Sequence, residues 1–202
     1  MSVSIYERDK RLFSGLQPEQ VNGSESEKQS ATSKRIFVVH RHLSSVLHYD
    51  LRIQVNGVLK SWALPSGPSM NAEDRRFAIL IDDKPLSFAT QRGLQRMQPD
   101  DGIIEVWDKG VFVPHLQESS YAEEKELLER MRNGRISFTL RGKKLRGVFT
   151  LIRMADPRHW MLLKGNDRYS VNSPYSPEAY VDSKSKINLA MLRSNGISTH
   201  GL

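Results

Sequence analysis

Between Ile36 and about Lys164 the chain is written in short apolar runs separated by turn residues, a punctuation that predicts strands rather than helices. The candidates are FVVHRH (37–42), LHYDLRIQV (47–55), VLKSWAL (58–64), FAILI (77–81), IIEVW (103–107), VFV (111–113), RISFTL (135–140), LRGVFTLIRM (145–154) and HWMLL (159–163). Asn56-Gly57 is a two-residue hairpin signal. Asp108-Lys109-Gly110 reads as a turn joining two strands, and Arg141-Gly142-Lys143-Lys144 as another. One helix is clear, at about 120–133, in SYAEEKELLERMRNG. Ser120 and Glu123 make a capping box, Leu127, Leu128 and Met131 an apolar stripe, and Gly134 follows a basic last turn. A weaker helical turn falls around Ile187–Arg193. Many short strands with one helix predict a mainly-β fold, a compact antiparallel β-barrel over residues 36–168, flanked by polar segments at 1–35 and 169–202.

The alternation within 47–55 separates two faces. Tyr49, Leu51, Ile53 and Val55 form an ordinary core face, while His48, Asp50, Arg52 and Gln54 line the other. If Asn56-Gly57 is a two-residue loop, Val55 pairs with Val58, Arg52 faces Ser61, Asp50 faces Ala63 and Leu51 faces Trp62. The polar face then lies beside small residues. In the preceding strand His40 and His42 share a side, and the short loop 43–47 brings His42 towards His48 and Asp50. Two imidazoles and a carboxylate form a three-ligand set for a divalent metal, with Arg52 one pleat further on as an anion clamp. The same spacing also suits a solvated, salt-bridged strand face, and the spacing alone does not choose between the two.

Composition narrows the partner and the ligand chemistry. The 202 residues contain no cysteine, which excludes disulfides and thiolate metal sites and leaves His, Asp and Glu as ligands. Thirty basic residues against 23 acidic give a net charge of +7, the profile of a protein that meets a polyanion, most commonly nucleic acid. No run approaches the length of a membrane-spanning helix, and the start MSVSIYERDKR lacks the apolar core of a signal peptide. A cytoplasmic, nucleoid-associated monomer with no membrane partner is the expectation.

The stretch FVVHRHLSSVLHYDLRIQVNGVLKSWALPSGPSMNAEDRRFAI resembles the 3′-phosphoesterase domain of bacterial DNA ligase D and its stand-alone relatives. That family carries approximately F-V-V-x-x-H-x-A-S-x-x-H-Y-D-x-R, then D-G-x-L-x-S-W-A-x-P-x-G-P-S and a basic pair. EVWDKGVF, GRISFTLRGKKLRGVFTLIRM and HWMLLK are similar to its closing strands, so the resemblance covers most of residues 36–168. It implies a β-barrel with a Mn²⁺-dependent site, Zn²⁺ or Co²⁺ being alternatives. It implies trimming of a terminal ribonucleoside or 3′-phosphate from DNA or RNA/DNA 3′ ends during break repair, alongside a DNA ligase, polymerase or end-binding protein. Carried over, His42, His48 and Asp50 would be the metal ligands and, with Arg52, the catalytic set. Arg52, Arg76, Lys84 and Arg11 would bind substrate phosphate. His40 stands where the family commonly has Gln and stays outside the ligand shell.

The chain departs from the family in the second half of the phosphate shell. Lys84 replaces a histidine, Phe88 a tyrosine and Ser66 a lysine. Arg11-Leu12-Phe13 lacks the family's acidic residue, with Glu19 nearby, and GLQRMQPDDG (93–102) replaces a glycine-rich loop. A lysine near its reference pKa of about 10.4 is a poor proton shuttle at neutral pH. Three readings therefore stand. One is a metal-dependent 3′-end phosphoesterase; another is a catalytically weakened module that binds 3′ ends or repair partners through Arg52, Arg76, Lys84 and the 141–146 turn; the third is a small-molecule phosphatase.

Overall fold

The computed structural model describes residues 34–95, 102–116 and 123–195. Arg11, Glu19, Ser120 and the 96–101 part of the replaced loop lie outside them. Nine strands are present: β1 (Ile36–Leu43), β2 (Leu47–Val55), β3 (Val58–Leu64), β4 (Arg75–Pro85), β5 (Gly93–Gln95), β6 (Gly102–Pro114), β7 (Arg135–Arg141), β8 (Arg146–Arg153) and β9 (His159–Lys164). Helix α1 spans Glu123–Arg132 and α2 spans Lys186–Ser194; 3₁₀ turns occupy Leu86–Thr90 and Pro177–Tyr180.

All strand pairings are antiparallel and run β1-β2-β3-β4-β9-β8-β7-β6. A β1–β6 ladder then closes the ring into an eight-stranded barrel, and β5 adds to the free edge of β6. Closure removes the unpaired edges that an open sheet would expose. Asn56 and Gly57 both take positive φ, 47° and 75°, as a tight primed turn requires, and the register is the expected one: Val55↔Val58, Arg52↔Ser61, Leu51↔Trp62, Asp50↔Ala63.

Inside, Phe37, Val39, Leu51, Ile53, Trp62, Phe138, Phe149 and Leu162 are among the buried side chains of one continuous core. Trp62 and Trp160 meet edge to face with ring centroids 5.8 Å apart. Leu127 of α1 enters this core, which is what its apolar stripe is for.

One expectation changes. Asp108-Lys109-Gly110 is not a turn, because β6 runs unbroken through it with a bulge at Trp107 opposite Val39/His40. Asp108 turns its carboxylate to the β7–β8 hairpin instead, accepting the backbone N–H groups of Lys143, Lys144 and Leu145. Gly110 is required for close approach, since a Cβ there would collide with the Arg141 carbonyl. The polar segment after Lys164 packs onto the barrel. Val171 bridges to Asn71, the Trp107 indole donates to the Pro177 carbonyl at 3.2 Å, and Arg41 holds Glu178 and Asn188. Its polar residues are engaged with buried partners at the barrel mouth, so composition alone gives no sign of the packing. No helix among the described residues is long and apolar enough to cross a membrane.

Candidate metal centre

The β1–β2 register sets His40 opposite Asp50 and His42 opposite His48. Alternation turns these four side chains, with Arg52 and Ser61, to the face opposite Leu51 and Trp62. Ligand atoms of His42, His48 and Asp50 all lie within 4.8 Å of one another. His42 Nδ1 is 3.4 Å from Asp50 Oδ2, and His48 Nε2 is 3.6 Å from Asp50 Oδ1. Donors sharing one ion at about 2.1 Å stand about 3–3.5 Å apart, so the spacing fits a common cation.

Hydrogen bonding prepares the same atoms. His48 Nδ1 lies 3.0 Å from the Val46 carbonyl, which can only accept, so Nδ1 is the donor of that bond and Nε2 is the ring nitrogen turned towards Asp50. Asp50 is 1% exposed, and burial alone would raise its pKa. The His42 hydrogen bond and the positive charge of Arg52 outweigh that, holding the carboxyl below its ordinary range. Asp50 Oδ1 and His42 Nε2 are buried and find no hydrogen-bond partner among the described residues. Such orphans are rare in protein interiors, and a cation would satisfy an acceptor of this kind. The donor set therefore fits a divalent metal, and with two nitrogens and one oxygen it does not discriminate among Mn²⁺, Zn²⁺ and Co²⁺.

Arg52 is 2% exposed and fixed at its two terminal nitrogens, donating to Asp50 Oδ2 at 3.0 Å and to Ser61 Oγ at 2.7 Å. Its guanidinium lies 4.9 Å from the Phe88 ring centroid, and Lys84 Nζ lies 5.6 Å from the same centroid. Phe88, carried by the 3₁₀ turn after β4, thus gathers the two cations beside the triad. His40 packs edge-on against Phe88 at 5.6 Å, and burial, aided by the charge of Arg52, pushes its pKa down to about 3. It is a neutral imidazole at the border of the triad.

The structure does not bring Arg76 to this group. Alternation places it with Ala78 and Leu80, and its guanidinium is held by Asp74 Oδ2 at 2.7 Å, the Tyr175 carbonyl at 2.8 Å and the Ser66 carbonyl at 3.4 Å. Gly102 is a site residue that the sequence does not single out. Its φ is +145°, and a Cβ would strike the Leu43 carbonyl and come within 3.0 Å of His42 Nε2. The only signal would have been the glycine ending Asp-Asp-Gly.

Comparison with known proteins bears on the same residues. Residues 40–153 match the family described as "DNA Ligase D 3'-phosphoesterase domain", a span that contains the whole triad. The chain is 34% identical over 144 residues to the multifunctional non-homologous end joining protein LigD of Pseudomonas aeruginosa, covering 69% of this chain and 16% of that protein. It is 30% identical over 139 residues to LigD of Mycolicibacterium smegmatis, covering 65% and 17%, and 29% identical over 126 residues to the Mycobacterium tuberculosis end joining DNA repair protein LigD, covering 62% and 15%. Each match thus spans about one sixth of a relative's length. With more than half of the chain matched and the β1–β2 residues in place, the protein belongs to the DNA ligase D 3′-phosphoesterase domain family.

Proposed function

We propose that this protein is a divalent-metal-dependent phosphoesterase acting on the 3′ ends of nucleic acids, with residues 36–168 as the catalytic unit. The observation that carries this reading is the clustering of His42, His48 and Asp50 ligand atoms within 4.8 Å, with buried orphan atoms, beside the guanidinium of Arg52. Mn²⁺ is the metal proposed, with Zn²⁺ or Co²⁺ as substitutes. When bound, such an ion supplies Lewis-acid polarisation of the phosphoryl group and acidifies water.

The chain's own residues do the rest. The Val46 carbonyl holds His48 Nδ1, and Asp50 stays ionised because Arg52 and the histidines stand against it. Arg52, pinned by Ser61, offers preorganised positive charge to a phosphate, and Lys84 adds a second cation against the Phe88 ring. Arg76 has no such place, being committed to Asp74 and Tyr175. Substrates would be DNA or RNA/DNA ends bearing a terminal ribonucleoside or phosphate. The role would be end processing in break repair, a setting that the relatives' names support, in the cytoplasm and next to a ligase, a polymerase or an end-binding protein.

One observation favours a second reading, a module that binds ends without turnover. Asp50 and His42 are only 1% and 4% exposed, and the hydroxyl-free Phe88 ring occupies the rim. The two readings separate on a labelled primer-template ending in a ribonucleotide or a 3′-phosphate, incubated with and without Mn²⁺ beside a binding assay. Turnover that needs metal and disappears in Asp50→Ala supports the enzyme. Unchanged turnover in that variant sinks it, and tight binding with no product under any metal supports the module.

A further inference from the structure

Away from the triad, positive side chains gather around the β7–β8 hairpin. The register sets Arg141 directly across from Arg146, both exposed. Like charges in directly opposed positions destabilise a sheet, so the arrangement is not one that folding favours. Arg146 also lies 4.9 Å from the ring of Tyr169, and Arg168 lies 4.8 Å from the same ring while donating to its hydroxyl at 2.7 Å. Lys143 at the tip and Lys109 on the neighbouring β6 complete the group. The side chains of Lys109, Arg141 and Lys143 have no anionic partner among the described residues.

Carboxylates are present nearby, but they are turned inward. Asp108 accepts three backbone N–H groups of the hairpin tip, and Asp167 accepts those of Val148 and Tyr169 as well as the ammonium of Lys164. The local anions thus stiffen the scaffold and leave the cations uncompensated. A rigid tip, clustered guanidiniums and a pre-stacked aromatic ring are what a phosphate backbone engages.

The barrel also fixes where this cluster stands relative to the triad. Lys109 pairs with Val38, and Arg141 pairs with Val111, which pairs with Ile36. Val38 and Ile36 share the β1 face of His40 and His42 by alternation. Along β1 they lie four and six residues from His42, or about 13 and 20 Å. At the 3.4 Å rise of a DNA strand, that corresponds to roughly four to six base pairs.

We infer that Lys109, Arg141, Arg146 and Arg168 form a second docking surface for the phosphate backbone of duplex nucleic acid, about four to six base pairs from the end presented to the triad. The inference rests on the nucleic-acid reading above but not on turnover. The surface grips the duplex, and the triad handles its end.

The test is fluorescence anisotropy with the full chain, using a 20-base-pair duplex, a 4-base-pair hairpin duplex with the same end, and vesicles of phosphatidylserine. Arg141→Gln/Arg146→Gln should weaken binding of the long duplex at least about tenfold near 0.1 M salt. It should lower the slope of log affinity against log salt by about 0.9 for each phosphate that the variant no longer neutralises. Binding of the short duplex should not change. Arg141→Lys/Arg146→Lys, which keeps the charge, should retain most of the affinity, and a thermal melt near wild type shows that the Gln variant folds. Wild-type affinity and slope in the Gln variant would overturn the inference and leave a solvated hairpin. So would an equal loss on both duplexes, or binding confined to vesicles. If wild type shows no turnover yet the long-duplex loss persists, the enzyme reading fails and the docking surface stands.

Discussion

Replacing Asp50 by alanine should destabilise the barrel as well as stop chemistry. The change leaves the Arg52 guanidinium, 2% exposed, without the carboxylate that stands 3.0 Å away. At an effective dielectric of about 20, that separation corresponds to about 5.5 kcal/mol of gross attraction. Desolvation offsets much of this in the intact pair, but removing one partner exposes the cost of the other, typically about 3–5 kcal/mol. For a chain of this length each kcal/mol moves the melting temperature by about 2–4 °C, so Asp50→Ala should melt roughly 6–20 °C below wild type. The tryptophans report the transition, Trp62, Trp107 and Trp160 all being buried. The cycle is completed with Arg52→Met and with Asp50→Ala/Arg52→Met. Without a buried charge, the double variant should be more stable than the sum of the single losses predicts, by at least about 1.5 kcal/mol. A loss below about 1 kcal/mol in Asp50→Ala, or strict additivity, would refute the account of a tightly coupled buried pair.

Three further outcomes follow from the same geometry. Millimolar Mn²⁺ at pH 7.5 should raise the melting temperature relative to chelator, by about 2.7 kcal/mol equivalent at a hundredfold excess over the dissociation constant, and His48→Gln should abolish the rise; calorimetry checks it. Gly102→Ala should weaken Mn²⁺ binding measured by titration, because its Cβ would strike the Leu43 carbonyl and crowd His42, with a positive φ that alanine resists. Burial tends to raise the Glu178 pKa, but Arg41 and Tyr49 hold it below the usual range. Its stabilising contribution is therefore present above the unfolded value of about 4.3 and is lost as pH falls through the lower folded value. Glu178→Gln should flatten that acid loss in melts between pH 5 and 2, whereas an unchanged acid limb would count against the Arg41–Glu178 ion pair.

Local chemistry explains which parts of this were legible in the residues. Asn56-Gly57 admits one turn geometry, so the pairing of Arg52 with Ser61 and of Asp50 with Ala63 can be counted off along the chain. The triad was visible for the same reason, since all three ligands sit on one hairpin. What depends on distant segments was not. Asp108 looks like a turn residue until Lys143–Leu145 arrive to claim its carboxylate. Arg76 carries no mark that Asp74 and the Tyr175 carbonyl will occupy it, nor Phe88 any mark that Arg52, Lys84 and His40 converge on its ring.

The two-residue turn at Asn56-Gly57 has a consequence for how this protein can change. Side chains on the β2–β3 hairpin belong to the inside or the outside by parity, so the turn acts as an odd–even switch. Inserting one residue between His48 and Asp50 would turn the carboxylate inward beside Trp62 and, with it, Leu51 outward, erasing the ligand set and the core in one step. Inserting two would restore parity and shift the ligands by one pleat, about 7 Å, enough to separate them. Substitutions can therefore retune the rim at Lys84 or Phe88 one at a time, while length changes inside the hairpin remove fold and site together.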